Sequence, residues 1–182
     1  FNSPNDVVVS SNGDIYFTDP TYGFMFLSDF TFDESVKELD FSGVYKYNSE
    51  SGIELVSNEL DLPNGLALSN DERYLYVNSS NTDEAPIILK IDLKNENKSD
   101  LFFDGTELAK KFPGSFDGLK IHSSGNIFTT GPNGILVLSP AGKLLANIKF
   151  KDMLTNCAFD SDENYLYVTG FSIVARIALK NN

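Results

Sequence analysis

Four polar side chains occupy corresponding places along the chain, each directly before a short run rich in apolar residues. They are Asn5, Asn64, Asp117 and Asn156. Amide and carboxylate oxygens are ligands that a hard cation such as Ca²⁺ prefers, and the ion accepts about 6–8 of them, water included. If the fold brings these side chains together, the chemistry open to them is the binding of a cation.

An alternative interpretation needs no ligand. Asn and Asp also begin strands as ordinary turn residues, because their side chains hydrogen-bond to their own backbone. That explanation suits one or two of the four positions. It explains the same residue type at every corresponding position less well, although descent from a common repeat could produce that pattern. Both interpretations stay open on the sequence pattern alone.

The elements that would position these residues are repeated hairpins. Each repeat has an apolar strand, a polar turn and a second strand rich in Tyr, Phe, Ile and Val. The Asn12-Gly13 pair in the first turn suits the positive φ angles of a tight hairpin. The repeats are NDVVVSSNGDIYFTD (5–19), NGLALSNDERYLYVNS (64–79), DGLKIHSSGNIFTT (117–130) and NCAFDSDENYLYVT (156–169).

Further strand-like runs follow each hairpin, so that a full unit holds four short antiparallel strands. Four strands in each repeat of roughly 40–50 residues are typical of a β-propeller blade. We therefore predict an all-β fold, a β-propeller with blades at about 5–60, 64–103, 117–150 and 156–182. The last blade lacks its outer strand, and the only helical candidate is one turn around Glu107–Lys111.

Three and a half blades do not close a ring, since propellers typically have about 4–8 blades. We therefore expect residues 1–182 to form a single partial β-propeller domain, the C-terminal portion of a longer protein with about two blades missing on the N-terminal side. By itself this portion should be poorly stable and inactive. The alternative is a complete but unusual four-bladed protein.

Strand order predicts which residues meet. The first strand of a blade is innermost, so the four Asn and Asp residues should converge near the axis, at the end that we call the mouth. The long aromatic connection 20–42 lies at the same end and forms either a wall over the channel or an insertion packed on its neighbours. His122 falls at the opposite end of an inner strand, roughly 16 Å from Asp117, which argues against a Ser-His-Asp arrangement.

Composition excludes some partners. The 182 residues include 14 Lys plus Arg and 26 Asp plus Glu, a formal charge of −12. Such a surface repels nucleic-acid phosphates, while it tolerates cations and neutral small molecules. No apolar run is long enough to span a membrane. The single cysteine, Cys157, allows no internal disulfide, and the compartment (bacterial periplasmic or secreted, or cytoplasmic) and oligomeric state stay open.

Three segments carry a family likeness: NSPNDVVVSSNGDIYFTDPTYG (2–23), LPNGLALSNDERYLYVNSS (62–80) and FDGLKIHSSGNIFTTGPNGI (116–135). They resemble successive blade motifs of the gluconolactonase, senescence-marker-protein (regucalcin) and luciferin-regenerating-enzyme family, and bacterial gluconolactonases most of all. The resemblance implies a six-bladed propeller with a divalent cation at the mouth of its channel. That cation is usually Ca²⁺, with Zn²⁺, Mg²⁺ or Mn²⁺ as alternatives.

The resemblance also implies site roles. Asn64 and Asp117 match two cation ligands of the family, and Asn5 matches a residue that contacts cation or substrate. A further ligand, a Glu of the first blade, has no counterpart in this sequence. Asp117 is the implied general base, although a carboxylate bound to a dication is a weak base and could serve mainly to hold the ion. Asp19 and Tyr22, also at the mouth, are predicted substrate contacts together with Asn5.

The function that the resemblance implies is calcium-dependent hydrolysis of a lactone, in particular a sugar-acid lactone such as gluconolactone. The cation would polarise the carbonyl and water would attack it. One alternative is a non-enzymatic propeller that binds calcium, a small molecule or a protein. Another is a phosphotriesterase-like hydrolase that uses the same metal site.

Overall fold

Alternating apolar residues and tight turns fold the chain into successive antiparallel hairpins. The computed structural model describes residues 1–26, 28–29, 31–81 and 86–179. Its regular elements in these ranges are strands, apart from one short α-helix and two 3-10 helices. Every strand pair is antiparallel, and the strands of each sheet follow one another in chain order.

The first two sheets have four strands each. The first contains β1 (Val7–Val9), β2 (Ile15–Asp19), β3 (Gly43–Asn48) and β4 (Gly52–Ser57), with 3-10 helices at Tyr22–Phe24 and Glu34–Val36 in the connection between β2 and β3. The second contains β5 (Pro63–Leu68), β6 (Tyr74–Ser79), β7 (Ile87–Asp92) and β8 (Lys98–Asp104).

The last two sheets follow α1 (Thr106–Ala109), an α-helix that lies where the sequence predicts one helical turn. The third contains β9 (Leu119–Ile121), β10 (Ile127–Gly131), β11 (Gly134–Leu138) and β12 (Leu144–Lys149). Within the described residues the fourth contains β13 (Leu154–Phe159), β14 (Tyr165–Gly170) and β15 (Val174–Ala178).

Packing between successive sheets makes the arrangement a propeller. β5 lies beside β1, β9 beside β5 and β13 beside β9, so the first strand of each sheet lines the axis. Three apolar clusters fill the spaces between neighbouring sheets. Leu75, Phe116 and Leu166, one from each cluster, are completely buried. Burying these faces is the main favourable term for the fold. The prediction of an all-β propeller fold is confirmed, with four blades in this chain, whereas a six-bladed whole stays a prediction.

At the end of the axis opposite the mouth, side chains of the hairpin turns form contacts between neighbouring blades. Gly13 turns the first hairpin with a φ of 88°, a conformation that glycine adopts without steric cost. In the second and fourth blades the turn residue with a positive φ is a glutamate, Glu72 and Glu163 respectively. The carboxylate of each contacts the preceding blade. Glu72 accepts hydrogen bonds from the Ser11 N–H and hydroxyl at 2.8 and 2.7 Å. Glu163 lies 3.4 Å from the His122 ring, which places this histidine in an interblade contact away from the mouth.

Within the described ranges, no helix has the length and apolar character that crossing a membrane requires.

Candidate functional site

A cavity of about 460 Å³ opens at the mouth, where the inner strands begin. Three of the four polar residues identified in the sequence, Asn5, Asn64 and Asp117, line it together. The other lining residues come from the long connection after β2 and from the segments around the inner strands: Tyr22, Met25, Phe32, Leu62, Ser80, Asn81, Ser115, Phe116, Met153, Leu154, Thr155 and Phe171. The volume lies in the range of cavities that hold small-molecule ligands, roughly 300–1,000 Å³.

A β-bulge aims Asn64 into this cavity. The pairing of β5 with β6 shifts register between Pro63 and Leu66, which leaves Asn64 and Gly65 outside the regular ladder. Bulges of this kind redirect a side chain next to a site. Asn64 is 7% exposed, and its Nδ2 donates a hydrogen bond to the Ser80 hydroxyl at 2.9 Å. That hydroxyl in turn donates to the Phe116 carbonyl. The amide is therefore held in one orientation.

Asp117 supplies the only carboxylate among the described residues that line the cavity. Burial, together with the negative charge of Asp6, raises the pKa of this carboxyl to about 6, although the Asn64 amide and the Lys120 ammonium act in the opposite direction. The Asp117 backbone is held by the Thr130 hydroxyl, which accepts a hydrogen bond from the Asp117 N–H at 3.0 Å. A carboxylate with a pKa near the working pH is suited to accept a proton from water.

Tyr22 stands beside Asn64 as a neutral phenol. Its hydroxyl donates a hydrogen bond of 3.4 Å to the Leu62 carbonyl and lies 3.5 Å from the Asn64 Nδ2. Burial raises the pKa of this phenol to about 12; the hydrogen bonds with Ser80 and Asn64 act in the opposite direction, and the negative charge of Asp117 adds to the rise. The group is therefore protonated at neutral pH and is suited to hydrogen bonding.

One wall of the cavity is apolar and comes from the long aromatic connection. Met25 and Phe32 pair in an isolated antiparallel bridge, and the rings of Tyr22 and Phe32 lie 6.5 Å apart. Phe30, which belongs to the same predicted aromatic wall, lies outside the described residues. The position of Met25, Phe32 and Tyr22 in the cavity lining fits the prediction of a wall over the channel.

Two predicted residues lie apart from the cavity lining. Asp19, a predicted substrate contact, is completely buried, and its Oδ2 accepts a hydrogen bond from the Asn2 N–H at 2.9 Å. Asn156 turns its Oδ1 to the adjacent Cys157 N–H at 2.8 Å, beside the Gly118 backbone. In both cases a backbone N–H binds the side-chain oxygen: the adjacent Cys157 N–H for Asn156, and the N–H of Asn2, distant in the sequence, for Asp19. A role for Asp19 in substrate binding stays a prediction that gains no support from its position.

Sequence reasoning missed several polar residues around the site. Ser80 orients Asn64, and Thr130 holds Asp117; both lie within the segments that carry the family likeness, yet the repeat pattern assigns them no role. Ser80 directly follows β6, and Thr130 is the last but one residue of β10, which places both at the mouth. That position at the mouth end of a second strand is a signal that could have identified them.

The oxygen donors of the cavity fit a hard cation by type. Among the described lining residues, the cavity offers one carboxylate, Asp117, and the amides Asn5, Asn64 and Asn81; its sulfur atoms are the thioethers of Met25 and Met153, and no thiol or imidazole lines it. The raised pKa of Asp117 marks a carboxylate without a full positive partner, which is the condition that a bound cation relieves. Among the residues described, no group of three or more His, Cys, Asp or Glu side chains is placed to hold a metal. A cation here would complete its shell with further oxygen ligands such as water.

The fold and the site together define a β-propeller with a cavity at the mouth of its channel, lined by a carboxylate and by asparagine amides. The chain belongs to the family described as SMP-30/Gluconolactonase/LRE-like region, whose model matches residues 1–172. It is 34% identical, over 99% of its length, to the gluconolactonase of Zymomonas mobilis, and it covers 51% of that protein. It is 28% identical to the lactonohydrolase oryH of Aspergillus oryzae, over 76% of this chain and 34% of that protein.

Solved structures agree with the assignment. A gluconolactonase from Xanthomonas campestris superposes with a TM-score of 0.83 at 28% identity, over 98% of this chain and 57% of that one. Regucalcin from Agrobacterium tumefaciens, a calcium-binding protein, superposes with a TM-score of 0.67 over 91% of this chain and 52% of that one; at 17% identity this match shows the fold alone. The chain thus spans about half the length of the gluconolactonase relatives described here.

Proposed function

We propose that the protein to which this chain belongs hydrolyses lactones at the mouth cavity. The observation that carries the proposal is the placement of Asp117, a half-buried carboxylate with a pKa of about 6, in one cavity with Asn5 and Asn64. The gluconolactonase and lactonohydrolase relatives support this class of reaction. Gluconolactone, the substrate that the name of the Zymomonas relative gives, is the first candidate.

Asp117 would accept the proton of the attacking water. Its raised pKa makes it a stronger base than an exposed aspartate, and proton transfer is most effective when the pKa of the base lies near the working pH. Asn64 would orient the ester, because the Ser80 hydroxyl and the nearby Tyr22 phenol hold its amide in place. The apolar wall of Met25 and Phe32 would exclude bulk water from the bound ring, which strengthens polar interactions inside the cavity.

We further propose that Asn5, Asn64 and Asp117 hold a divalent cation, Ca²⁺ in the first instance. When bound, such an ion polarises an ester carbonyl and stabilises the negative charge that develops on its oxygen. Asp117 would then stay ionised at a lower pH, because a nearby positive charge lowers the pKa of a carboxyl. In that state its main task is to hold the ion and orient the water, rather than to act as a strong base.

The test uses the whole protein and D-glucono-δ-lactone, with proton release as the measure of turnover. We expect a chelator to reduce turnover and added Ca²⁺ to restore it. Asp117→Asn and Asn64→Ala should lower kcat by about 10²-fold or more, within the range that a positioned base provides. Glu107→Gln is the matched control, since it removes an exposed carboxylate on α1 that does not line the cavity.

Turnover that resists both the chelator and the two cavity substitutions would refute the proposed site. Turnover that resists only the chelator would refute the cation while leaving Asp117 as the base. An increase of Tm on Ca²⁺ binding, without turnover on a panel of lactones, would instead favour a calcium-binding propeller.

A further inference from the structure

The bulge that orients Asn64 also leaves a backbone N–H group that requires a hydrogen-bond acceptor. Because Asn64 and Gly65 leave the β5–β6 ladder, the Gly65 N–H has no strand partner opposite it. A buried N–H without a hydrogen bond costs roughly 1–3 kcal/mol. The side chain of Asn78, in β6, meets this requirement: its Oδ1 accepts the Gly65 N–H at 2.9 Å.

Asn78 also reaches the next blade. Its Nδ2 donates a hydrogen bond of 2.8 Å to the backbone carbonyl of Asp117, and the side chain is completely buried. One amide thus joins the backbone next to Asn64 to the backbone of the cavity carboxylate. Both of its polar ends are used, so the side chain has one orientation.

A different buried polar residue makes a corresponding connection from the first blade to the second. Thr18, the last but one residue of β2 as Asn78 is of β6, is also completely buried. Its hydroxyl accepts the Asp6 N–H at 3.1 Å and donates to the Asn64 carbonyl at 3.0 Å. Its own carbonyl accepts the Asn5 N–H at 2.9 Å. Thr18 therefore connects Asn5 to Asn64, as Asn78 connects the Asn64 segment to Asp117.

We propose that Thr18 and Asn78 are positioning residues, which set the separation of Asn5, Asn64 and Asp117 across three blades. The proposal rests on the function proposed above for the cavity. The cores between successive blades are apolar, and apolar contacts are not directional and tolerate small shifts. Hydrogen bonds to the backbone of each cavity residue define its position more closely. A catalytic group displaced by about 1 Å can lose roughly 10²-fold in rate.

The test compares variants that differ in one hydroxyl or amide. Thr18→Val keeps the shape of the side chain and removes both of its hydrogen bonds, whereas Thr18→Ser keeps the hydroxyl. Asn78→Leu removes the second connection. Ser10→Ala is the control, because Ser10 is a buried hydroxyl that donates to the Asp14 carbonyl at 3.0 Å in the hairpin turn at the opposite end of the first blade.

We expect Thr18→Val and Asn78→Leu to lower kcat by about tenfold or more, with KM changed less, and to reduce the rise of Tm that Ca²⁺ causes. Thr18→Ser should retain kcat within about threefold, and Ser10→Ala should lower Tm without changing kcat. If Asn78→Leu does not fold, the comparison of Thr18→Val with Thr18→Ser tests the proposal by itself. Variants with a lower Tm but unchanged kcat and unchanged Ca²⁺ response would reduce both residues to a purely structural role.

A crystal structure of Thr18→Val separates this inference from the proposed function. We expect the Cα separation of Asn64 from Asn5 or from Asp117 to change by more than about 0.5 Å, the tolerance of a productive site. Unchanged separations would overturn the inference, whether or not the protein hydrolyses lactones. If the separations change and the wild-type protein hydrolyses no lactone, the positioning role is supported and the proposed function is refuted.

Discussion

The backbone carbonyl oxygen of Asp117 lies against the Cα of Gly65 in the neighbouring blade. A Cβ placed on Gly65 would stand 1.9 Å from that oxygen. The approach is possible only without a side chain, and it brings together the backbone segments that carry the cavity residues Asn64 and Asp117. Gly118 repeats the contact one blade later, where a Cβ would stand 2.2 Å from the Asn156 Oδ1.

Gly65→Ala should therefore displace Asp117 from the cavity. We expect the free energy of unfolding to fall by about 1–3 kcal/mol, the usual cost of overpacking. We also expect kcat to fall by roughly 10²-fold, because the carboxylate moves. Urea denaturation and steady-state kinetics measure the two effects.

Gly52→Ala is the control for Gly65→Ala. Gly52 has a φ of 79° with no atom near its missing Cβ, so alanine there costs backbone strain alone. It should destabilise the protein and leave kcat unchanged. Full activity in Gly65→Ala would show that the Asp117 position does not depend on this contact.

The raised pKa of Tyr22 predicts a hydrogen-bonding role rather than an acid–base role. Tyr22→Phe should weaken turnover only by roughly two- to tenfold, the equivalent of one hydrogen bond. The dependence of kcat on pH should keep its shape, because a phenol with a pKa of about 12 does not titrate in the working range. A loss of several orders of magnitude, or a missing limb in the pH profile, would assign the phenol to proton transfer.

The apolar wall predicts a selective effect on substrate affinity. Met25→Ala and Phe32→Ala should raise KM by about tenfold, the scale of a lost apolar contact in a pocket, while kcat changes less. Phe26→Ala is the matched control, since Phe26 belongs to the same connection, is 52% exposed and does not line the cavity. Equal changes in all three variants would mean that the connection acts only through its folding.

Asp14 predicts a pH dependence of stability at the opposite end of the first blade. The hydrogen bond from Asn48 lowers the pKa of this buried carboxyl below its ordinary 3.8, against the effect of burial, and Asn12 adds to the lowering. A lowered folded-state pKa stabilises the fold above the unfolded-state pKa, and the stabilisation is lost as the pH falls through the folded-state value.

Asp14→Asn removes this contribution and tests it. Compared with the wild type, the variant should be less stable at pH 7, and the difference should be smaller at about pH 3, because the stabilisation declines below the unfolded-state pKa as the pH falls towards the lowered folded-state value. Urea denaturation at both pH values gives the comparison. A difference in stability that does not depend on pH would show that the charge of Asp14 contributes nothing.

Much of the fold could be predicted because its signals are local. Apolar alternation and turn residues identify the hairpins, and their regular recurrence indicates blades of four strands. The same recurrence placed Asn5, Asn64 and Asp117 at the starts of inner strands, and the structure brings these three to one cavity. Their chemical roles stay predictions. Asn156 follows the same pattern and yet lies outside the lining, since its oxygen is bound to the adjacent Cys157 N–H.

The repeat pattern, read alone, determined the architecture, the end of the axis where the polar groups gather and the residue types that gather there. Only the tertiary structure decided which side chains face the cavity and what holds them. The hydrogen bonds from Thr18 to the Asn64 carbonyl and from Asn78 to the Asp117 carbonyl join different blades, and a bulge in β5 frees the Gly65 N–H that Asn78 also binds. Periodicity describes one strand at a time, whereas these hydrogen bonds depend on how two folded sheets are placed against each other.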